Sequence, residues 1–267
     1  MNAWRLLKRE TNDAFTNMAV DEAILRARIA GKVPNTIRFF RWKPSAVSLG
    51  RFQDIFKEAN VKNCRKHGVD FVRRISGGGS VYHDYEGELT YSVIVSKKDL
   101  ETADVFYAYK LICNGLIEAM KILGINADFD PGDLKHCPNV LVDGRKISGS
   151  SQSHKRGVLL QHGTFLVDVN LERMFTFLRV PWAETCMEVV PIARRKITSV
   201  KQKVGSNVSL QEAYKALVKG FQKALKIKLI EGKLTTCEKD LAEKLRVEKF
   251  ATEDWNLRGK TVISSFQ

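Results

Sequence analysis

The sequence predicts an α+β fold in which helices flank a largely antiparallel, mixed sheet. Three observations predict it: apolar and polar residues alternate in strand-like fashion in several short segments between 36 and 167, amphipathic helical stripes separate and follow these strands, and tight turn signals join neighbouring strands. A chain of 267 residues can bury one large core. We therefore expect a single domain over 1–267, in which 206–267 is a mostly helical C-terminal part.

The elements follow one another with clear boundaries. The first helix is predicted over 16–30, where Met18, Ala23, Ile24 and Ala27 share a face and Gly31 ends the pattern. A second long helix is predicted over 104–123, and Asp143-Gly144 is a strong two-residue hairpin turn. Predicted strands cover 36–42, 46–50, 69–73, 80–83 and 89–95, a short helix covers 61–66, and capping boxes begin helices at Ser209 and Thr235.

Charge and hydropathy narrow the class of protein. The chain carries 44 Lys and Arg against 30 Asp and Glu, a formal charge of +14, which favours an acidic partner or an anionic ligand. No helix-turn-helix, zinc-finger or aromatic-basic signature accompanies this charge, so we expect no nucleic-acid partner. No apolar run is long enough to span a membrane and the first residues are too polar for a signal peptide, so a cytoplasmic protein is expected.

The five cysteines are scattered singly along the chain. Their odd number and the absence of any Cys-x-x-Cys pair argue against a disulfide framework or a zinc site, and most are expected in the core. Cys137 differs, because it lies in the polar, proline-bounded segment His-Cys-Pro-Asn. The cysteines are Cys64, Cys113, Cys137, Cys186 and Cys237.

The most informative segment is 73–84, which reads RRISGGGSVYHD. Each glycine costs roughly 0.5 to 1 kcal/mol relative to alanine in regular structure, so three in succession indicate a loop that brings backbone N–H groups close to an anionic ligand. Arg74 adds a planar fork of donors suited to phosphate or carboxylate. Because strands lie on both sides of this loop, the dinucleotide-binding fingerprint and the phosphate-binding loop are both excluded.

A second segment, 139–152, places Lys146 just after the hairpin turn, among apolar and small residues, and is followed by LLQHGT at 159–164. A lysine there is a compact positive charge for a carboxylate or phosphoryl oxygen. The serines at 148, 150 and 151 are interpreted as close-packing residues, since no Ser-His-Asp arrangement suggests itself.

Taken together, RRISGGGSVYHD, DGRKISGSSQ and LLQHGT resemble the lipoate-protein ligase family, part of the superfamily that also contains biotin protein ligases and octanoyltransferases. The resemblance extends to NMAVDEAIL near the N-terminus and FATEDWN near the C-terminus. It is closest to the archaeal-type catalytic subunit that lacks a C-terminal accessory domain, and it implies the same mixed sheet flanked by helices.

The resemblance implies an ATP-dependent lipoate-protein ligase. Lipoate and ATP would form lipoyl-AMP with Mg²⁺ neutralising pyrophosphate, and the lipoyl group would pass to a lysine of a lipoyl domain of a 2-oxoacid dehydrogenase complex or of the glycine-cleavage H protein. A separate accessory subunit would be needed for full adenylation. Lys146 is the implied catalytic residue, and no metal ligand can be named. The implied ATP-binding residues are Arg74, Gly79, Ser80, Val81, Tyr82 and Lys146. The implied lipoate-binding residues are Gly77, Gly78, His83, Lys146 and His162.

Two alternatives remain beside the ligase. The first is octanoyl or lipoyl transfer from acyl carrier protein through a cysteine thioester without ATP, for which Cys137, nine residues before Lys146, is the candidate nucleophile. Relatives of that type place their cysteine nearer Pro131 and tend to read Gly-Gly-Arg at 77–79, although they share LLQHG. The second is a non-catalytic lipoyl- or nucleotide-binding protein. Asn139-Val140 and Gly87-Glu88 depart from the ligase pattern, which has acidic and amide residues there. The ligase is the expectation.

Overall fold

An eight-stranded mixed sheet forms the centre of the computed structural model, which describes residues 2–133, 136–205 and 207–259. Its strand order is β11-β1-β2-β6-β10-β9-β8-β7, and β4-β3-β5 form a smaller second sheet. Strand β1 pairs in parallel with both β11 and β2, and every other neighbouring pair of the large sheet is antiparallel. The strands are β1 (Ala3–Asn12), β2 (Thr36–Trp42), β3 (Ala46–Leu49), β4 (Asp70–Arg73), β5 (Val81–His83), β6 (Glu88–Ser96), β7 (Asp128–Asp130), β8 (Asn139–Val142), β9 (Arg145–Lys155), β10 (Val158–Leu166) and β11 (Lys228–Gly232).

Helices flank both faces of the large sheet, which confirms the predicted fold class. The helices of the described ranges are α1 (Ala14–Ile29), α2 (Ile55–Glu58), α3 (Val61–Lys66), α4 (Val105–Ile122), α5 (Leu171–Phe177), α6 (Cys186–Lys196), α7 (Val200–Val204), α8 (Leu210–Leu225), α9 (Thr236–Leu245) and α10 (Glu253–Arg258). Both predicted capping boxes are formed, at Ser209 with Glu212 and at Thr235 with Glu238. The predicted hairpin turn is formed by Asp143 (φ 48°) and Gly144 (φ 71°).

Two strands were not expected from the sequence. Strand β1 occupies the N-terminus, and β11 lies inside the part at 206–267 that was expected to be mostly helical. The short β11 runs parallel to β1, from Ala3 opposite Lys228 to Leu7 opposite Gly232. Its side chains are mostly exposed, so it carries little of the hydrophobic alternation by which a strand is recognised.

The alternation of side chains along the central strands builds a core on each face. On β6, Leu89, Tyr91 and Val93 face α4 and α8, whereas Ile94 belongs to the core beneath α1 and α9. A third core lies between the small sheet and the helices α3, α5 and α6. Helices α4 and α8 each bury one face in this arrangement, as expected of packed layers, whereas α1 is buried on most of its circumference. Within the described ranges, no helix is both long and apolar enough to cross a membrane.

Candidate active site

The two predicted motifs meet at one cavity of about 230 Å³. The glycine loop joins β4 to β5 of the small sheet, while Lys146 lies on β9, just after the turn of the β8–β9 hairpin of the large sheet. Trp42, from β2, and Met18, from α1, contribute apolar surface to the lining. The cavity therefore lies between the two sheets, and it combines an apolar wall with the polar groups of both motifs.

Arg74 holds the glycine loop in shape with all five of its N–H donors. Its Nε donates to Ser76 Oγ (3.1 Å), Nη1 donates to the carbonyl and the hydroxyl of Ser48 (both 3.2 Å), and Nη2 donates to the carbonyls of Gly77 and Gly79 (both 2.7 Å). None of these acceptors is a carboxylate, and burial lowers the pKa of Arg74 to about 10. Arg74 was expected to bind a nucleotide, but in the structure all of its N–H donors already bond to the loop and to Ser48.

Gly78 brings a thiol and the Arg74 guanidinium together at the wall of the cavity. Its φ of 85° lies in the left-handed region, which favours glycine. A Cβ on Gly78 would lie 3.0 Å from Cys137 Sγ and 3.2 Å from Arg74 Nη2. Cys137 therefore packs directly over the glycine, with its sulfur close to a buried positive charge.

Lys146 reaches the same cavity from the large sheet. Its ammonium packs so closely on Gly149 that a Cβ there would lie 2.7 Å from Nζ. Burial lowers the pKa of Lys146, and a negative charge on Cys137 would oppose that effect. The Lys146 side chain is nevertheless exposed to the solvent that enters the cavity. This solvent limits how far the pKa of Lys146 is lowered. In the part of the chain that the structure describes, neither Arg74 nor Lys146 forms an ion pair.

His162 belongs to a buried relay that ends on the glycine loop. Its Nε2 lies 2.6 Å from Ser76 Oγ and its Nδ1 lies 3.0 Å from Asp21 Oδ2. Because Ser76 Oγ accepts from Arg74, its own proton goes to Nε2, and the Nδ1–H of a neutral imidazole donates to Asp21. Burial lowers the pKa of His162. Asp21 is buried too, but its ion pair with Arg38 (2.9 Å) and the contact with His162 outweigh the desolvation, so its pKa is lowered.

His83 belongs to a second relay, on the other side of Arg74. Its Nε2 lies 2.8 Å from Ser48 Oγ, and its Nδ1 lies 2.7 Å from Glu88 Oε1. The ring stacks on Trp42, with centroids 4.0 Å apart and planes 14° apart. The two imidazoles thus orient the hydroxyls of Ser48 and Ser76, which accept hydrogen bonds from Arg74. Both predicted histidines are buried at the cavity wall and stabilise the loop through these hydroxyls.

Most of the residues expected at the site converge on it. Tyr82 is an exception, because its ring stacks on Phe177 with centroids 5.3 Å apart in the third core. Gly77 contributes its carbonyl, which accepts from Arg74 and from Ser151 Oγ (2.8 Å). The expected residues that line the cavity are Arg74, Gly78, Gly79, Ser80, Val81, His83, Cys137, Lys146 and His162.

Sequence reasoning missed the groups that support the site. Asp21, Ser48, Ser76 and Glu88 are all buried and all take part in the two relays. A signal for Asp21 existed, since it falls within the apolar stripe of a helix, where a carboxylate needs a buried partner. We expected no Ser-His-Asp arrangement, yet hydrogen bonds link Ser76, His162 and Asp21 in that order. Ser76 is fully buried and its hydroxyl accepts from Arg74, so this arrangement supports the glycine loop.

The fold is that of the lipoate-protein ligases. The chain superposes on the bipartite lipoate-protein ligase of an archaeal lipoylation system from Thermoplasma acidophilum with a TM-score of 0.86 at 30% identity, over 98% of this chain and 100% of that one. A lipoate-protein ligase A bound with ATP gives a TM-score of 0.83 at 30% identity, over 96% and 99% of the two chains.

Sequence comparison gives the same family. The profile of the lipoyl protein ligase A/B catalytic domain matches residues 13–222, and the chain belongs to this family. It is 37% identical to octanoyltransferase LipM of Brevibacillus brevis, over 97% of this chain and 100% of the relative. It is 34% identical to octanoyltransferase LipM of Bacillus subtilis, over 96% and 98%.

These relatives correct the expected activity. The prediction of an ATP-dependent lipoate-protein ligase is wrong, because proteins similar over nearly the whole chain at 34–37% identity are named octanoyltransferases. The prediction of ATP and Mg²⁺ as cofactors and of a lipoyl-AMP intermediate is wrong for the same reason. The accessory subunit was expected only for adenylation, so no argument for it remains. The family motifs alone did not separate the two activities, since the ligase structures share the fold at 30% identity.

Proposed function

We propose that this chain is an acyltransferase that moves an octanoyl group from acyl carrier protein to a lysine of a lipoyl domain through a thioester on Cys137. The observation that carries the proposal is the position of the Cys137 sulfur, against Gly78 and close to the buried guanidinium of Arg74 and the solvent-exposed ammonium of Lys146. Neither cation has an ion-pair partner among the described residues, so a thiolate supplies the negative charge that both lack. The octanoyltransferases among the relatives support the same function.

In the first half-reaction, the Cys137 thiolate attacks the carbonyl carbon of the donor thioester. A new carbon–sulfur bond forms, the bond to the carrier's sulfur breaks, and the carrier leaves as a thiol after it takes up a proton. Lys146 is placed to take the proton of Cys137 and to return it to the leaving sulfur, because burial lowers its pKa and a proton carrier works best near the operating pH. No ATP is needed, since the thioester is already activated.

The glycine loop supplies the remaining electrostatic support. In the described ranges, the backbone N–H groups of Gly78 and Gly79 donate to no protein acceptor, whereas the carbonyls of Gly77 and Gly79 accept from Arg74. Donors fixed in this way stabilise the oxyanion of a tetrahedral intermediate, and one such donor is typically worth about 2.7 to 4 kcal/mol. The Arg74 network thus keeps the donors aimed at the reacting carbonyl.

In the second half-reaction, the ε-amine of the target lysine attacks the thioester on Cys137. An amide bond forms, the carbon–sulfur bond breaks, and Cys137 returns to the thiolate. Neutral Lys146 takes the proton that the amine loses. The acyl chain remains meanwhile against the apolar wall of Met18 and Trp42.

The octanoyltransferase-type relatives place their cysteine nearer Pro131, and the path of the chain between Pro131 and Cys137 accommodates this difference. The loop doubles back, so that the N–H of Asp133 donates to the carbonyl of His136 (3.1 Å), and a Cβ on Gly132 would lie 3.0 Å from the carbonyl carbon of Cys137. Positions next to Pro131 therefore lie against Cys137 in space. A thiol contributed from either part of the loop approaches the same wall of the cavity.

The test follows acylation of the protein by octanoyl-acyl carrier protein without ATP. Mass spectrometry should find an octanoyl group on Cys137 that hydroxylamine removes, and a lipoyl domain added afterwards should receive it. Cys137→Ala should abolish both steps, whereas Cys237→Ala, which changes an exposed cysteine, should leave them intact. Transfer by Cys137→Ala at the normal rate would exclude the thioester.

A second variant addresses the lysine. Lys146→Ala should lower the rate of acyl-enzyme formation by about 10² to 10⁴, the range for loss of a general acid–base, without changing the thermal unfolding midpoint by more than a few degrees. Lys146→Arg keeps the charge but cannot exchange a proton, so it should fail as well. An active Lys146→Arg variant would show that the lysine acts by charge alone.

A further inference from the structure

Helix α6 ends beside the cavity mouth. Lys146 pairs with Ile197 in an isolated parallel bridge, and the N–H of Thr198 donates to the carbonyl of Lys146 (2.9 Å). Ile197 directly follows the last residue of α6, so the last turn of this helix lies against the strand that carries Lys146. The last turn of α6 therefore lies next to a strand that lines the cavity.

That last turn carries three successive cations. Arg194, Arg195 and Lys196 are exposed, and none of them forms an ion pair in the stretches of chain that the structure describes. The opposite face of the helix is anchored, because Val190 and Ala193 are buried in the third core. The three charges are therefore held in place by the helix while their heads remain free.

Exposed apolar side chains continue this surface from the other end of α6. Met187, in the first turn, is 81% exposed, and Trp182, just before the helix, is 55% exposed. The same segment contacts α2, where the N–H of Arg179 donates to the carbonyl of Glu58 (2.9 Å) and Phe56 is 58% exposed. Two large apolar side chains on this segment and a third on the α2 that contacts it are therefore exposed in one region, which exceeds the scattered single residues of an ordinary surface.

The glycine loop lies at the far end of this segment. Ser80, which lines the cavity, donates to Glu58 Oε2 (3.3 Å). Residues 178–197 thus extend from the glycine-loop side of the cavity to the Lys146 side. We name the surface formed by Phe56, Trp182, Met187, Arg194, Arg195 and Lys196 the mouth arc.

We infer that the mouth arc is the docking surface for the acidic acyl carrier protein that donates the acyl group, a conclusion that rests on the proposed function. Charge complementarity favours this occupant, because three exposed cations without an ion-pair partner in the described ranges lie in the last turn of α6, beside the strand of Lys146, in a chain of net charge +14, and complementary charge steers encounter and orientation. One of them, Arg194, also lines a neighbouring depression that carries Asp84, Asp168 and Glu172. The apolar side chains supply contact area that a small free thioester would not need. Cations at the rim and apolar contacts along the arc suit a folded carrier whose acyl arm enters beside Lys146.

The helix itself offers a simpler reason for part of this pattern. Cations in the last turn stabilise a helix through its dipole, which explains basic residues at 194–196 without any partner. It does not explain why Trp182 and Met187 stay exposed on the same segment. The experiment must therefore separate docking from helix stability.

The measurement is acylation of Cys137 with two donors, octanoyl-acyl carrier protein and the small thioester octanoyl-N-acetylcysteamine, together with direct titration of acyl carrier protein against each variant. The docking variant combines Arg194→Gln, Arg195→Gln and Lys196→Gln. The control variant removes the same charge from exposed lysines in and near β11, five strand spacings or about 24 Å from β9 across the large sheet. It combines Lys228→Gln, Lys233→Gln and Lys239→Gln.

The docking variant should lose about tenfold or more in kcat/KM with the carrier, keep its rate with the small thioester, and bind the carrier correspondingly more weakly. The loss should shrink in 1 M salt, where charges are screened within about 3 Å, and the control variant should behave like the unchanged protein. Equal carrier rates and binding in the docking variant would overturn the inference, and so would an equal loss with both donors. If neither donor acylates the unchanged protein, the proposed function fails, and carrier titration alone then decides the docking surface.

Discussion

Gly78→Ala is the substitution that most directly tests how the loop builds the site. Gly78 has a φ of 85°, and a Cβ there would lie 3.0 Å from Cys137 Sγ and 3.2 Å from Arg74 Nη2. The added methyl group therefore strains the backbone and pushes on both the proposed nucleophile and the arginine that shapes the loop. We expect a small loss of stability and a large loss of activity.

The magnitudes follow from these two effects. A non-glycine residue in the left-handed region costs about 1 to 2 kcal/mol, which for a chain of this size lowers the unfolding midpoint by roughly 2 to 8 °C. Relief of the contact moves the sulfur by several tenths of an ångström, and a misplacement of about 1 Å can cost about 10²-fold in rate. The acylation rate should therefore fall by about tenfold or more in a protein that remains folded.

Gly77→Ala is the matched control. Its position has ordinary backbone geometry, and a Cβ there would meet no atom within 4 Å. We expect a midpoint near that of the unchanged protein and an acylation rate within about twofold, because the added methyl group meets open space and leaves the hydrogen bonds to the Gly77 carbonyl in place, and changes of this kind usually cost less than about 0.5 kcal/mol. Acylation would be followed by mass spectrometry and unfolding by calorimetry. A Gly78→Ala variant as active as Gly77→Ala would refute the placement of Cys137 over this glycine.

Three further predictions concern the supports of the site and the fold. Asp21→Asn leaves the buried Arg38 without its carboxylate and should cost about 3 to 5 kcal/mol, measurable by urea unfolding; a cost below about 1 kcal/mol would contradict the buried pair. Gly220→Ala places a Cβ 2.5 Å from the backbone nitrogen of Ala119, so overpacking between α4 and α8 should cost about 1 to 3 kcal/mol by calorimetry, and an unchanged midpoint would count against this close approach. Burial lowers the pKa of His162 below its ordinary value of about 6.5, so the unfolded chain binds the proton more readily and the free energy of unfolding falls as the pH drops from about 6.5. Urea denaturation at pH 7.5 and 5.0 should therefore show a smaller loss of stability for His162→Gln than for the unchanged protein. An equal loss in the two proteins would oppose a buried neutral imidazole.

Local signals predicted much of the architecture. Periodicity located α1 and α4 to within two residues at each end, and the hairpin at Asp143-Gly144 and both capping boxes formed as expected. The sequence did not predict strands β1 and β11. Strand β11 is mostly exposed, and its parallel partner β1 lies more than 200 residues away along the chain. No property of a short local segment reports such a long-range pairing.

The sequence singled out residues that the structure brings to one cavity, but not the contacts between them. The glycine loop, Lys146 and Cys137 stand out locally, since runs of glycine, a lysine after a tight turn and a polar cysteine are unusual in a core. Their partners do not stand out, because Ser48, Ser76 and Glu88 are ordinary in composition and acquire meaning only through contacts between distant segments.

The sequence by itself determined the family, the α+β class and the cavity-lining motifs, since these depend on patterns within short stretches. Only the tertiary structure decided that all five N–H donors of Arg74 bond within and around the loop, and that Cys137 lies over Gly78 near the charges of Arg74 and Lys146. The physical reason is that the charge state and hydrogen-bond supply of a buried group depend on every element packed around it. Those elements here come from both sheets and from α1, and the chain brings them together only when it folds.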